Sequence, residues 1–215
     1  MSTTDPIILS VLLVGLALLP ILVVVTTSFL KISVVVMLIR NALGVQQIPP
    51  NIAVYGLSVI LSCFIMAPIA TRLGNTVLDS MQTRQSVSVL LGNVQRGAEP
   101  LREFMTRNSK PEQREFFVQT ARRLWGPEMS ADVNPRDFLI LMPAFLVSEL
   151  TAAFQMGFLL YLPFVVIDLI ISNILLAMGM MMVSPTTISL PLKLLLFVAA
   201  DGWTRLIHGL VLTYG

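Results

Sequence analysis

The chain reads as all-α and membrane-type, with proline-broken apolar helices forming hairpins on either side of a polar, mainly helical insert. Three observations lead there. Of its 215 residues 55% are hydrophobic and 12% charged, with a mean hydropathy of +0.83, whereas an ordinary soluble domain carries about 25% charged residues. The apolar residues are gathered into long uninterrupted runs and do not recur on periodic faces. The charges are gathered too, since 18 of 26 fall between positions 72 and 137. The chain accordingly divides into an N-terminal apolar hairpin over residues 1–70, a polar insert over 71–137, and further apolar helices over 138–215 that include a methionine-rich loop.

The first apolar run covers residues 7–30 without a charge, and the pattern resumes after Lys31 as far as Ile39. A continuous helix of that span, rising about 1.5 Å per residue, would exceed a bilayer core of about 30 Å, so a break near Pro20 or a strong tilt is expected. Ahead of this run, residues 1–6 carry an acid and no basic side chain, and the run is longer than a signal-peptide core, so no cleavable signal is expected. Arg40 and Gly44 provide the stop: a cation suits the negative end of a helix, and glycine can take the left-handed cap. Two prolines in Val45-Gln46-Gln47-Ile48-Pro49-Pro50-Asn51 then block continuation, and Asn51 can cap the next helix. That helix is the apolar run 52–70, with Pro68 near its end.

In the insert, Ser109 and Glu112 have the spacing of a capping box ahead of Phe116, Phe117, Ala121, Leu124 and Trp125, a small core or docking face. Its signs are mixed, ten basic against eight acidic side chains, which reads as a solvated surface. With a net charge of only +2 and no basic stripe, a nucleic-acid partner is not expected. Asn134 as cap with Pro135 in the first turn signals a helix from about Phe138 towards Leu162. A fourth run, 164–183, ends in the methionines, and a fifth, from 188 to about 214, carries Lys193, Asp201, Arg205 and His208. Pro163, Pro185 and Pro191 punctuate these runs. Charge does not orient the chain, because the insert exceeds the roughly 60 residues over which lysine and arginine excess is informative.

Charges inside apolar segments cost about 2.5 to 3.5 kcal/mol each at a bilayer centre, so they face protein or water and usually pair. Glu149 and Lys193, the only lysine after Lys110, are expected to form a buried charge pair, within or between subunits; the alternative is that Lys193 reaches the headgroups. Lys31 and Asp168 are the structural intramembrane charges, with Asp168 free to pair with Lys31, bond to backbone released by Pro163, or stay protonated. Catalysis is not expected. Asp168 and Asp201 lie in no motif of intramembrane aspartyl chemistry, and the lone His208 has no metal-ligand or triad companion. Cys63 is the only cysteine, which excludes an intramolecular disulfide and a thiolate cluster.

Four of the twelve methionines stand within five positions, in Met178-Gly179-Met180-Met181-Met182-Val183-Ser184-Pro185. Soft, unbranched thioethers at a helix break can pack against other helices or line an adaptable constriction. They could also bind Cu(I) in a small-molecule or metal transporter, although no cysteine or histidine stands beside them.

Several separated segments together resemble one family. They are Thr27-Ser28-Phe29-Leu30-Lys31-Ile32, then Leu38-Ile39-Arg40-Asn41-Ala42-Leu43-Gly44 with the connector to Asn51, then Tyr161-Leu162-Pro163-Phe164-Val165-Val166-Ile167-Asp168, the methionine cluster, and Leu190-Pro191-Leu192-Lys193 with Asp201-Gly202-Trp203. In order and content they are similar to the FliP/SctR family of type III secretion export apparatus proteins. The resemblance implies a homopentamer that joins SctS/FliQ-like and SctT/FliR-like subunits in a closed helical ring. Unfolded polypeptides would leave the cell through it, with no cofactor. The ring would belong to the bacterial inner membrane, raised towards the periplasm, with the insert on the periplasmic side. It also implies that Met178, Gly179, Met180, Met181 and Met182 form one subunit's part of a channel gasket. Flagellar members of the family usually begin with a cleavable signal, so the expected lack of one here, with the short length, favours the injectisome branch over the flagellar one.

Overall fold

A computed structural model describes residues 6–45, 48–82 and 97–215. Residues 1–5, Gln46 and Gln47 of the connector, and positions 83–96 of the insert lie outside them. Every regular element among the described residues is a helix. In chain order these are α1 (Pro6–Thr26), α2 (Phe29–Ala42), α3 (Asn51–Gln82), α4 (Glu99–Asn108), α5 (Pro111–Leu124), α6 (Gly126–Ser130), α7 (Phe138–Ala177), α8 (Pro185–Ala199) and α9 (Gly202–Leu212). Among the described residues two helices, over Asn51–Asn75 and Phe138–Ala177, are long and apolar enough to cross a membrane, and two bent pairs, Pro20–Thr26 with Phe29–Ala42 and Pro185–Ala199 with Gly202–Leu212, reach that length together.

Helix ends fall partly where the prolines predict and partly elsewhere. The first run does not break at Pro20, which sits inside α1; it breaks at Thr27 and Ser28. The Thr26 and Thr27 hydroxyls donate back to the Leu22 and Val23 carbonyls at 2.7 and 2.6 Å, the i−4 back-bonding that bends helices. Gly44 ends α2 as expected, with φ at +77° and its N–H bonded to the Asn41 carbonyl. Arg40 reaches on to the connector, donating to Asn51 Oδ1 at 2.6 Å and to the Pro49 carbonyl at 3.3 Å. Asn51 opens α3 with its side chain already engaged.

Pro163 does not separate two helices. α7 runs straight through it for 40 residues. A proline removes one hydrogen bond to the carbonyl four residues back, a loss tolerated in apolar helices whose neighbours and local adjustments absorb it. At about 1.5 Å per residue α7 is about 60 Å long, twice the thickness of a bilayer core.

One compact unit comprises residues 1–30 and 69–147. In it α4 buries Phe104 and Met105, and the Phe104 ring meets Phe145 at 5.8 Å. Val118 and Ala121 of α5 bury against Ile140, with Phe117, Val133 and Trp125 packed around them, while Phe116 and Leu124 stay exposed. The expected capping box does not form. Ser109 closes α4 instead, because Arg114 from the first turn of α5 takes both the Ser109 carbonyl, at 2.6 Å, and its hydroxyl, at 2.8 Å. Asn134 likewise builds a turn ahead of α7: its Oδ1 accepts the Arg136 N–H, and Asp137 Oδ2 accepts the Asn134 N–H. The Asp137 carbonyl then receives the first amides of α7.

The second unit comprises residues 31–68 and 148–215. Its centre is α2, whose Ile32, Val35, Val36 and Ile39 bury at helical spacing against Val54 of α3, Ala153 and Phe164 of α7, Phe197 of α8, and Leu206 and Leu210 of α9. Gly157 permits the closest approach within this unit: a Cβ there would lie 2.2 Å from Leu38 Cδ1.

Candidate functional site

The methionine segment is the turn between α7 and α8. α7 ends in a Schellman arrangement, in which the Met180 N–H bonds back to the Leu175 carbonyl at 2.9 Å and the Gly179 N–H to Leu176 at 3.0 Å. That geometry needs a left-handed residue at the fifth position, and Gly179 supplies it with φ at +72°. Two bonds of shorter sequence span follow, Met181 N–H to the Gly179 carbonyl at 3.0 Å and Val183 N–H to the Met180 carbonyl at 3.3 Å. On the far side the Ser184 and Thr186 hydroxyls share a bond of 2.7 Å at the start of α8. The backbone is committed while the side chains are not: Met178 is 62% exposed, Met181 83%, and Met182 fully so. Within this chain the thioethers are therefore not core packing. Exposed apolar clusters of this kind mark interaction surfaces.

At the start of α2 the second unit buries charge. Lys31 Nζ lies 2.9 Å from Glu149 Oε1, both side chains at most 5% exposed. The Tyr214 hydroxyl donates to Glu149 Oε2, and the Lys31 ammonium sits 3.9 Å from the centre of the Tyr214 ring. A buried pair is tolerable only when its remaining lone pairs and protons are satisfied. Tyr214 does so twice, by its hydroxyl and by its ring face. Burial pushes the Tyr214 phenol up, so it keeps its proton and remains a donor.

Lys193 of α8 occupies a second node. It donates to Asp168 Oδ2 at 2.5 Å and to the Ala42 carbonyl at 3.2 Å, at the C-terminal turn of α2 where a cation is favoured.

The expected Glu149–Lys193 pair is thus corrected. Glu149 pairs with Lys31, and Lys193 with Asp168. Glu149 and Asp168 are nineteen positions apart on α7, about 28 Å along a helix, so a lysine held at one cannot serve the other. Lys31 near the start of α2 meets Glu149, and Lys193 joins the end of α2 to Asp168; α2 therefore runs parallel to this part of α7. Pairing Asp168 with Lys31 is excluded by the same geometry.

Sequence reasoning overlooked Tyr214 and the Ala42 carbonyl. A tyrosine closing an apolar run was the available signal, because a buried phenol needs a hydrogen-bond partner. His208 and Asp201 are exposed. Among the described residues no three His, Cys, Asp or Glu side chains gather around a common metal position.

Comparison with known proteins agrees with the motifs. The FliP family matches residues 12–210. The chain is 52% identical to the Yop proteins translocation protein R of Yersinia pestis over 215 residues, covering 98% of this chain and 97% of that protein. It is 47% identical to the harpin secretion protein HrcR of Erwinia amylovora over 210 residues, covering 98% and 97%. The virulence protein YscR of Salmonella typhimurium is 46% identical over 205 residues, covering 93% and 92%. With a family match across nearly its whole length and relatives of this identity, the chain belongs to the FliP family.

Proposed function

We propose that the chain is a core subunit of a type III secretion export gate of the injectisome branch. Copies of it, a homopentamer, join SctS/FliQ-like and SctT/FliR-like subunits in a ring at the bacterial inner membrane, and the turn at 178–182 is each copy's share of a seal. The observation that carries this reading is a hydrogen-bonded turn holding four thioethers away from their own chain. Met178, Met180, Met181 and Met182 from several copies would close a pore against ions. They would yield around a passing unfolded polypeptide by changing rotamers, which methionine does at small cost. The role is mechanical and steric.

The relatives' names speak of Yop translocation, harpin secretion and virulence; carried to this chain, they favour an injectisome over a flagellum. The large exposed apolar side chains of α3 and α7, such as Ile52, Ile60, Phe64, Phe158 and Ile174, suit burial against neighbouring subunits or lipid. An α7 twice as long as a bilayer core supports a ring raised towards the periplasm, with the polar insert on that side.

Ion leakage tests the seal. In assembled complexes, replacing Met178, Met180 and Met181 by alanine raises ion conductance across the membrane while polypeptide export continues. Unchanged impermeability together with unchanged secretion would remove the seal from this turn.

A further inference from the structure

α9 is attached to the second unit in an unusual way. It leaves α8 at a bend of 61°. The bend is made at Asp201, whose φ of +53° places a non-glycine residue in the left-handed region. Gly202 follows because nothing larger fits: a Cβ there would lie 2.4 Å from the Phe197 ring. Beneath α9 is an open apolar cavity of about 460 Å³, lined among others by Val35, Ile39, Met156, Phe164, Leu206 and Leu210. Leu206 and Leu210 bury in the core of this unit, and beside them α9 borders this open cavity. Two residues past its far end, Tyr214 is 5% exposed and closes the Lys31–Glu149 pair.

We infer that α9 is a hinged flap, with Asp201 and Gly202 as the hinge and Tyr214 as the latch, and that α2 is locked against α7 only while the latch is seated. The latch is polar and directional, whereas the α9 core contacts through Leu206 and Leu210 are apolar. Losing the phenol leaves Glu149 Oε2 without its tyrosine donor and the Lys31 ammonium without the ring. The ion pair then favours water, and α2 and α9 loosen together. This inference concerns the packing of one chain and stands apart from the proposed seal.

Amide hydrogen exchange of the full chain in its assembled, detergent-extracted complex tests it. In the unmodified protein the amides of α9 and of positions 32–39 open as one block, with a common dependence on denaturant, distinct from α8. Tyr214→Phe keeps the ring and removes the hydroxyl; losing a hydrogen bond to a charged acceptor speeds exchange of that whole block about ten- to a hundredfold. In a Lys31→Met/Glu149→Leu background the same change adds nothing, because the latch has nothing left to close. Acceleration confined to positions 212–215, or equal effects of Tyr214→Phe in both backgrounds, overturns the latch. Should Tyr214→Phe fail to accumulate, separate opening of α9 and of 32–39 in the unmodified chain overturns it as well.

Discussion

A methyl group at position 157 probes the register on which the buried charges depend. In Gly157→Ala the new carbon would lie 2.2 Å from Leu38 Cδ1, 3.1 Å from its Cβ and 3.2 Å from its Cγ. The Cδ1 end can rotate away, but the Cβ is fixed to the backbone of a helix whose neighbours Ile32, Val35, Val36 and Ile39 are all buried, so α2 or α7 must shift. Forcing an extra carbon into a packed core costs about 1–3 kcal/mol. Replacing a helical glycine by alanine recovers about 0.5–1 kcal/mol, which would partly hide the clash. Gly56 of α3 supplies the control, since a Cβ there meets nothing within 4 Å. The two variants share the propensity gain and differ in the clash. With about 2–4 °C of midpoint per kcal/mol for a chain of this size, Gly157→Ala melts about 2–12 °C below Gly56→Ala. Tryptophan fluorescence during thermal unfolding in detergent reads the difference, because Trp203 packs edge-on against Phe197 at 5.4 Å within the same unit. Equal midpoints would show that α2 and α7 do not meet at this separation, and the parallel register that sets Lys31 opposite Glu149 would fall with it.

Two further outcomes test the candidate site. Lys31→Met strands a buried carboxylate and destabilises the chain by about 3–5 kcal/mol, whereas Lys31→Met/Glu149→Leu recovers most of that loss in the same melting assay; a double variant no better than the single one would show that the pair is not the relevant contact. Gly179→Ala forces a side chain into φ of +72° at about 1–2 kcal/mol, and because its Cβ meets nothing within 4 Å the cost is conformational. Gly179→Asn is milder, and the conductance of assembled complexes follows the same order. Leakage in neither variant would separate the seal from the geometry of the turn.

The helical character was legible because it rests on composition and run length. The two single helices long enough to span a membrane begin at Asn51 and Phe138, close to where the apolar runs begin. The left-handed glycine at 44 was legible too, since a run ending at a glycine has a local cause. Errors arose where a local signal competed with a non-local one. Pro20 and Pro163 are breakers in water, yet in an apolar setting the helix keeps its other bonds, and the first run breaks at Thr27 and Ser28 instead, beside two back-bonding threonine hydroxyls. Ser109 and Glu112 have capping-box spacing, but Arg114 claims the serine. The charge partners were misassigned because Lys193 is nearer Glu149 in sequence than Lys31 is. Sequence distance carries no information once α2 lies along α7, and nothing local marks Tyr214 as their third member.

The ion pairs share with the Gly157 contact the task of fixing how α7 lies along α2. Gly157 meets Leu38 where no larger side chain fits, and the charges add a polar constraint at other points along the same helix. A buried ion pair is a weak source of stability but an effective fixer of register, because a slipped register leaves a bare charge in the interior. Glu149 sets one buried point on α7, against Lys31, while Asp168, its side chain 39% exposed, sets a half-buried one through Lys193, which also donates to the Ala42 carbonyl of α2. A slip of one turn would displace the end of α7 by about 5.4 Å and carry the methionine turn with it. That displacement exceeds the separation of about 3.5–4.0 Å at which carbon atoms in contact attract, so in the proposed seal thioethers meeting those of neighbouring copies would part. The proposed seal would therefore need a backbone held in fixed register, and the Gly157 contact and the two ion pairs supply that register from within the chain.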